Sequence, residues 1–377
     1  MNPSQAIPPV LARFGLSDAA VTPVGGGHIN QAWKVVPRSA FRDTAVRGRE
    51  PVPSPGAYLL QRINPEVFPD GRLVLQNVAA VCDHLLASAG RVGLDHLERR
   101  VMQVVRAPGG EAGILGDDGA WWRMLRHIDG AVAFQRAESP GMAYEAGRAF
   151  GLFQRLLTDY DGPVLGETIP RFHDTRLRLE RLREAVSRDV MGRATEVASE
   201  VRFAMARAGH AEVLPPLIAS GEVPTRVAHN DAKIGNVLFD RESREALAVI
   251  DLDTVMPGTL LNDVGDLIRS MASPTDEDER ELSRIAVSPE LIESLVRGFL
   301  EQCGATLTGA ERGLLIFSGI LLTYEQGVRF LTDHLEGDRY YRITRPNQNL
   351  DRARAQFALV SALESKRAIL ERLTANG

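Results

Sequence analysis

The sequence predicts an α+β protein of two lobes, an N-terminal lobe built on an antiparallel sheet and a mainly helical C-terminal lobe. Three observations lead there. The chain has 377 residues, more than one compact domain usually holds. As far as residue 126 its apolar residues come in short β-rich runs between turns, and beyond Gly130 they recur at helical spacing. Between Arg226 and Arg269 two short apolar runs, 237–239 and 246–250, read instead as a buried hairpin. The division expected is 1–126 and 127–377.

Composition narrows the partners. A net charge of −5 with 44% hydrophobic and 25% charged residues is ordinary for a globular chain, and no basic stripe invites nucleic acid. The run Leu314 to Leu322 is broken by Ser318 and Gly319 and falls short of the ~20 residues of a membrane span. The N-terminus lacks a basic-then-apolar leader. Cys82 and Cys303 stand far apart in helix-like patterns and read as buried free thiols. The expectation is a cytoplasmic protein without nucleic-acid or membrane partners.

A short helix, Ser4 to Phe14, opens the chain. Val21 to Val36 is a hairpin whose turn holds Gly25, Gly26 and Gly27, where backbone N–H groups can approach phosphates because no Cβ intrudes. It does not open a helix as a dinucleotide-binding turn would. Residues 37–56, with four prolines and four arginines, read as an inserted flexible loop. Ala57 to Ile63 is a buried strand, with Arg62 expected to face the nucleotide. Leu73 to Leu86 is an amphipathic helix, and Arg99 to Arg106 and Gly110 to Leu115 are further strands. Trp121 and Trp122 are packing residues of the strand that runs into an Ile-Asp-Gly-Ala corner.

Helices then follow at Gly141 to Thr158 and from Asp174, a capping residue, to about Ala208. Local capping accounts for His173, and Pro215, Pro216 and Pro224 mark a loop. Three amphipathic helices, Leu291 to Cys303, Gly309 to Leu335 and Leu350 to Leu373, finish the chain. Glu325, Arg329 and Asp333 share a face, as an ion-pair ladder would.

The chemistry lies in the hairpin. His229-x-Asp231-x-x-x-x-Asn236 precedes the first strand and Asp251 ends the second, so their ends present Asp231, Asn236 and Asp251 to one point. Phosphoryl transfer from ATP requires that layout: a carboxylate to take the hydroxyl proton and oxygen ligands for the magnesium that bridges the phosphates. Solvated surface acids explain either acid alone, but not both spacings together.

HNDAKIGN with VIDLDTVMPG and NDVGD resembles the aminoglycoside phosphotransferase-like superfamily, whose fold is protein-kinase-like. Within it the sequence is most similar to N-acetylhexosamine 1-kinases, through GGGHIN, YLLQRINPEVF, WWRMLRHIDGA and YEQGVRFLTDHLEGDRYY. The resemblance implies Asp231 as base, Lys233 stabilising the transferring group, and Asn236 and Asp251 holding Mg2+, with a further contact possible from Asp253. It implies that backbone atoms of Arg126, His127 and Ile128 meet adenine and that His28, Asn30, Arg329 and Tyr340 meet the acceptor. Asp266 would brace the catalytic loop. The acceptor implied is the anomeric hydroxyl of an N-acetylhexosamine. Alternatives are another hydroxyl acceptor (aminoglycoside, choline, homoserine) and an inactive nucleotide-binding scaffold.

Overall fold

A computed structural model describes residues 3–25, 29–38, 42–43, 52–53 and 56–374. Helix α1 (Pro3–Arg13) precedes strands β1 (Ala19–Val24), β2 (Gln31–Pro37), β3 (Arg42–Asp43), β4 (Val52–Pro53) and β5 (Tyr58–Arg62). Helices α2 (Gly71–Arg91) and α3 (Leu97–Arg100) lead to β6 (Val104–Val105), β7 (Ile114–Leu115) and β8 (Trp121–Arg126). One sheet takes the order β1-β2-β5-β8-β6, with β7 also on β8, and every pairing is antiparallel. β3 and β4 pair with each other, and the rest of the 37–56 insertion lies largely outside the described residues.

Alternation along the strands gives the sheet two faces. Tyr58, Leu60, Trp122 and Met124 pack under α1 with Trp33, whose ring stacks on Trp122 at 5.4 Å. On the opposite face Ile63 and Leu125 join α2 and the helical lobe in one core. That apolar core therefore crosses residue 126, where β8 ends. Helix α2 is long and apolar enough by composition to cross a membrane, but 61% of that stretch is buried inside the protein.

The second half adds β9 (Ala131–Val132), α4 (Pro140–Leu156), α5 (Thr175–Arg188), α6 (Ala198–Ala206) and α7 (Leu214–Ala219). Then come β10 (Arg226–Ala228), β11 (Val237–Asp240), β12 (Ala246–Val249), β13 (Met256–Gly258), α8 (Leu260–Met271) and α9 (Pro289–Cys303). Helices α10 (Gly309–Gly313), α11 (Leu315–Leu335) and α12 (Gln348–Thr374) end the lobe. Local signals set the helix starts: the Asp70, Ser139, Asp174 and Ser288 side chains each accept a first-turn N–H, and Pro140 and Pro289 follow two of them.

Four expectations need correction. The helix read from Asp174 to Ala208 is two, because Asp189 turns left-handed (φ 38°) and its carboxylate accepts the Ala194 N–H at 2.9 Å. Residues 97–100 form a helical turn, leaving only Val104–Val105 as strand. Pro215 and Pro216 open α7 instead of marking a loop, because proline suits a first helical turn. The helix from Gly309 breaks at Leu314. Cys82 and Cys303 are buried and free, and burial pushes each thiol up to about 12.

Candidate active site

Strand β10 delivers the catalytic loop to the open end of the β11–β12 hairpin. The register Val237↔Val249 sets Asn236 beside Ile250, whose N–H donates to the Asn236 carbonyl at 2.9 Å. His229 is wholly buried, edge-on to the rings of Phe150 and Phe153. Its Nε2–H donates to the Ile250 carbonyl (2.9 Å), and its Nδ1 accepts the Asp231 N–H (3.3 Å). One imidazole thus ties the loop to the strand that ends in Asp251. Asn230 and Asp251 are both left-handed (φ 61° and 62°), a region that asparagine and aspartate enter more readily than other side chains.

The loop is braced by Asp263, not by Asp266 as the resemblance implied. The buried Asp263 carboxylate accepts from the backbone N–H of His229 (2.9 Å) and of Asn230 (2.8 Å) and from Gln154 Nε2 (2.6 Å). Asp266 instead accepts from Arg269 Nε at 2.5 Å and lines the neighbouring cavity. Both acids lie in the first turns of α8, three residues apart, and the sequence pattern does not say which faces the loop.

Asp231 Oδ2 accepts from Lys233 Nζ at 2.8 Å and from Asn236 Nδ2 at 3.2 Å, and the same amide bonds the Asp231 carbonyl at 2.8 Å. Burial works against ionisation, yet the Lys233 ammonium holds the Asp231 carboxyl below the usual range. Asp251 goes the other way. Asp251 keeps an exposed surface, yet desolvation by the surrounding cleft, then the like charges of Asp253 and Asp231, push it up to about 6 against the opposing charge of Lys233. Its carboxylate has no hydrogen bond or ion pair among the described residues. An uncompensated carboxylate and an asparagine amide carried at the same end of one hairpin are a small set of hard oxygen donors, which suits magnesium. The residues present therefore fit that ion.

Several expected residues are placed differently. Asp253 is buried and paired with Arg123 of β8, and Asn30 Nδ2 donates to it as well. The Asn30 side-chain carbonyl accepts from Asn64 N–H at 2.9 Å, so each end of that amide already has a bond within the protein. Asp253 is thereby a clasp between sheet and helical lobe. Arg62 alternates with Tyr58 and Leu60 onto the α1 side of β5 and pairs with Asp118 at 2.6 Å. It does not face the nucleotide. The face toward the helical lobe carries Gln61, which accepts from Arg123 Nε at 2.8 Å. In the linker, Arg126 N–H donates to Gln103 and His127 N–H to Ala57, which removes both donors from any adenine edge. Ile128 packs with Leu247 and Ala248. A Cβ on Gly25 would meet open space; Gly26, Gly27 and His28 lie outside the described residues.

A cavity of about 450 Å³ opens beside Asp231 and Lys233, with Arg329 and Tyr340 in its wall and Ile29, just past the glycine-rich turn, at its edge. The ion-pair ladder that the spacing on α11 would allow does not form among the described residues, since its three side chains take different partners. Glu325 accepts from His173 Nδ1 (2.8 Å) and Thr175 (2.6 Å). Asp333 accepts the backbone N–H of Arg339, Tyr340 and Tyr341, which fixes the loop that carries both tyrosines. Arg329 lies 4.7 to 5.8 Å from the ring centres of Phe172, Tyr340 and Tyr341 and makes no ion pair among the described residues. Every acid in the wall has a base: Asp231 has Lys233, Asp266 and Glu277 have Arg269, Asp276 has Arg136, and Glu325 has His173.

His173 matters beyond capping. Its second nitrogen, Nε2, lies 2.9 Å from the Asn230 carbonyl, so both ring nitrogens face acceptors and both carry protons. Burial opposes that charge, but Glu325 outweighs it and raises the pKa above 6.5. The side chain holds the residue before Asp231 from below. Nothing in the local sequence marks it, because its partners come from positions 230 and 325.

A sheet lobe over a helical lobe, with an acid, an amide and a second acid at one hairpin end, defines a kinase-like phosphotransferase. Residues 21–300 match the model of the phosphotransferase enzyme family (APH), and the chain belongs to that family. The fold is shared with a microcompartment-associated aminopropanol kinase (13% identity, 98% of each chain covered, TM-score 0.58). It is also shared with a spectinomycin phosphotransferase solved with ADP and spectinomycin (11% identity, 96% of this chain and 98% of that one, TM-score 0.58). A Plasmodium vivax ethanolamine kinase is similar too (13% identity, 94% and 84% covered, TM-score 0.54).

Proposed function

We propose that the protein transfers the γ-phosphoryl group of ATP to a hydroxyl of a small neutral acceptor, most favourably the anomeric C1 hydroxyl of an N-acetylhexosamine. The observation that supports the neutral acceptor is the charge balance of the cavity: each carboxylate in its wall is paired with a base, while Arg329 bonds the neutral Gln326 and makes no ion pair among the described residues. A polycation would find no free acid there and a guanidinium facing it. The aminopropanol, ethanolamine and spectinomycin of the similar structures are amine-bearing, which the unpaired Arg329 disfavours here.

Asp231 orients the acceptor hydroxyl and takes its proton. Asn236 fixes that carboxylate through the backbone and side-chain bonds given above. Lys233 keeps Asp231 ionised before the reaction, and lies where charge shifts as the proton arrives. Asn236 and Asp251 would hold magnesium, which neutralises charge between the phosphates. Arg329, with its multi-donor fork, and Tyr340 would hold ring hydroxyls and acyl oxygen.

Nucleotide consumption against hexoses, N-acetylhexosamines, amino alcohols and aminoglycosides tests the acceptor. Phosphorus–proton coupling to the anomeric proton of the product identifies a 1-phosphate, whereas coupling to the C6 methylene protons rejects it. Asp231→Asn should lower kcat by more than a thousandfold with nucleotide affinity retained, and a loss under tenfold would remove Asp231 from the base role.

A further inference from the structure

The wall of the cavity formed by α12 holds two buried polar atoms that make no hydrogen bond among the described residues. Arg352, Ala355, Gln356 and Leu359, spaced i, i+3, i+4 and i+7, all line it. Gln356 is 5% exposed, and its Oε1 is buried without a hydrogen bond. Its carboxamide as a whole makes none among the described residues. One helical turn away, Arg352 Nε is buried and likewise makes no hydrogen bond, with the Glu277 carboxylate 3.8 Å away, while its Nη1 is anchored to Asn349 Oδ1 (2.8 Å) and the Arg342 carbonyl (3.2 Å). The guanidinium is thus held in place with one N–H unused. Buried polar groups are nearly always bonded, and one left unmade weakens the fold. Two such atoms, an acceptor and a donor a turn apart in a cavity wall, call for a partner that comes and goes.

We propose that Gln356 and Arg352 form an amide-reading subsite for the acceptor. The acceptor's amide N–H donates to Gln356 Oε1, its carbonyl accepts from Arg352 Nε–H, and its acyl carbon chain lies against Leu359, Ala355 and Phe330. A carboxamide offers a donor and an acceptor whichever way round it sits, so the match survives a flip of Gln356. A hydroxyl in that place can also donate and accept, but it has no acyl group to cover the apolar part of the wall. An ammonium supplies donors only, and meets the Arg352 charge. This subsite rests on the acceptor reading above, and would give it a reason to require the N-acyl group.

The test compares kcat/KM for an N-acetylhexosamine with that for the parent hexose, in wild type, Gln356→Met and Gln356→Glu. Methionine keeps the volume without the polar atoms, and glutamate keeps the shape without the N–H donors. In Gln356→Met the preference for the acylated sugar should fall by about tenfold to a hundredfold, through KM for the sugar and with KM for ATP unmoved. A preference unmoved in both variants, or equal losses on both sugars, overturns the subsite. If wild type phosphorylates no hexosamine, the sugar reading fails by itself. The subsite is then decided on alcohols supplied in pairs with and without an amide. Preference for the amide member, lost in Gln356→Met, supports it; a preferred acceptor without an amide overturns it.

Discussion

Two side chains remote in sequence from Asp231 set its position, and each makes a distinct prediction. Asp263 spends both oxygens on N–H donors of the loop. Asp263→Asn turns one acceptor into an NH2 facing a donor, and should cost about 1–3 kcal/mol of stability with a parallel drop in kcat. Asp266→Asn leaves those bonds alone and should cost less; thermal melts of the two variants separate the roles. The His173–Glu325 pair predicts a pH dependence. His173 is raised above its ordinary 6.5, so its share of stability is complete below that value and fades as pH climbs through the folded pKa. Burial opposes the Glu325 charge but His173 prevails and lowers its pKa below 4.5, so that share is complete above 4.5 and fades as pH falls through the folded value. The Tm gap between wild type and Glu325→Gln should therefore be widest between pH 4.5 and 6.5 and narrow on the alkaline side. A gap that widens above neutrality would contradict the pairing.

Between elements, α4 and α9 approach closely through their glycines. A Cβ on Gly298 would stand 2.2 Å from the Tyr144 carbonyl oxygen, and one on Gly147 would stand 2.0 Å from that of Leu295. Both obstacles are backbone and cannot swing away. Gly298→Ala gains about 0.5–1 kcal/mol of helix preference, but forcing the helices apart costs about 1–3 kcal/mol, so a lowered Tm is the expected result. Such glycines sit inside periodic apolar patterns, and that is why the helices were legible in the sequence while their contact was not. The hairpin was legible for a different reason: its acid and amide spacings are local. Arg62 was misread because alternation along β5 puts every second residue on the other face, and only the neighbouring strands and α1 say which face is which.

At the scale of the molecule, Arg123, Asp253 and Asn30 join the sheet to the loop that carries Asp251, in a buried cluster. Arg123→Met strands a buried carboxylate and should destabilise by about 3–5 kcal/mol. Adding Asp253→Leu should return part of that loss, because the pair contributes less net than its rupture removes. A double variant no more stable than Arg123→Met alone would show that Asp253 acts by packing. The two-lobed plan followed from length and pattern, since strand-like runs predominate before residue 126 and helical spacing beyond Gly130, with Leu73 to Leu86 and the 237–250 hairpin as exceptions. The join between lobes did not, because it is made of residues some 90 to 220 positions apart (30, 123 and 253) that no window along the sequence brings together.

Helix α2 shares its core with the helical lobe, whereas among the described residues α1 is the helix that shares a core with the outer face of the sheet. The plane along which the molecule would come apart therefore runs between α1 and the sheet and does not follow the order of the chain. Amide hydrogens of α1 should exchange with solvent through a shallow local opening, and those of α2 only with the last-melting helices α4, α9 and α11. Because β1, β2 and β5 hydrogen-bond to one another, opening of α1 exposes one side of that sheet before any strand is lost, and the β1–β2 hairpin would outlast the helix that covers its back.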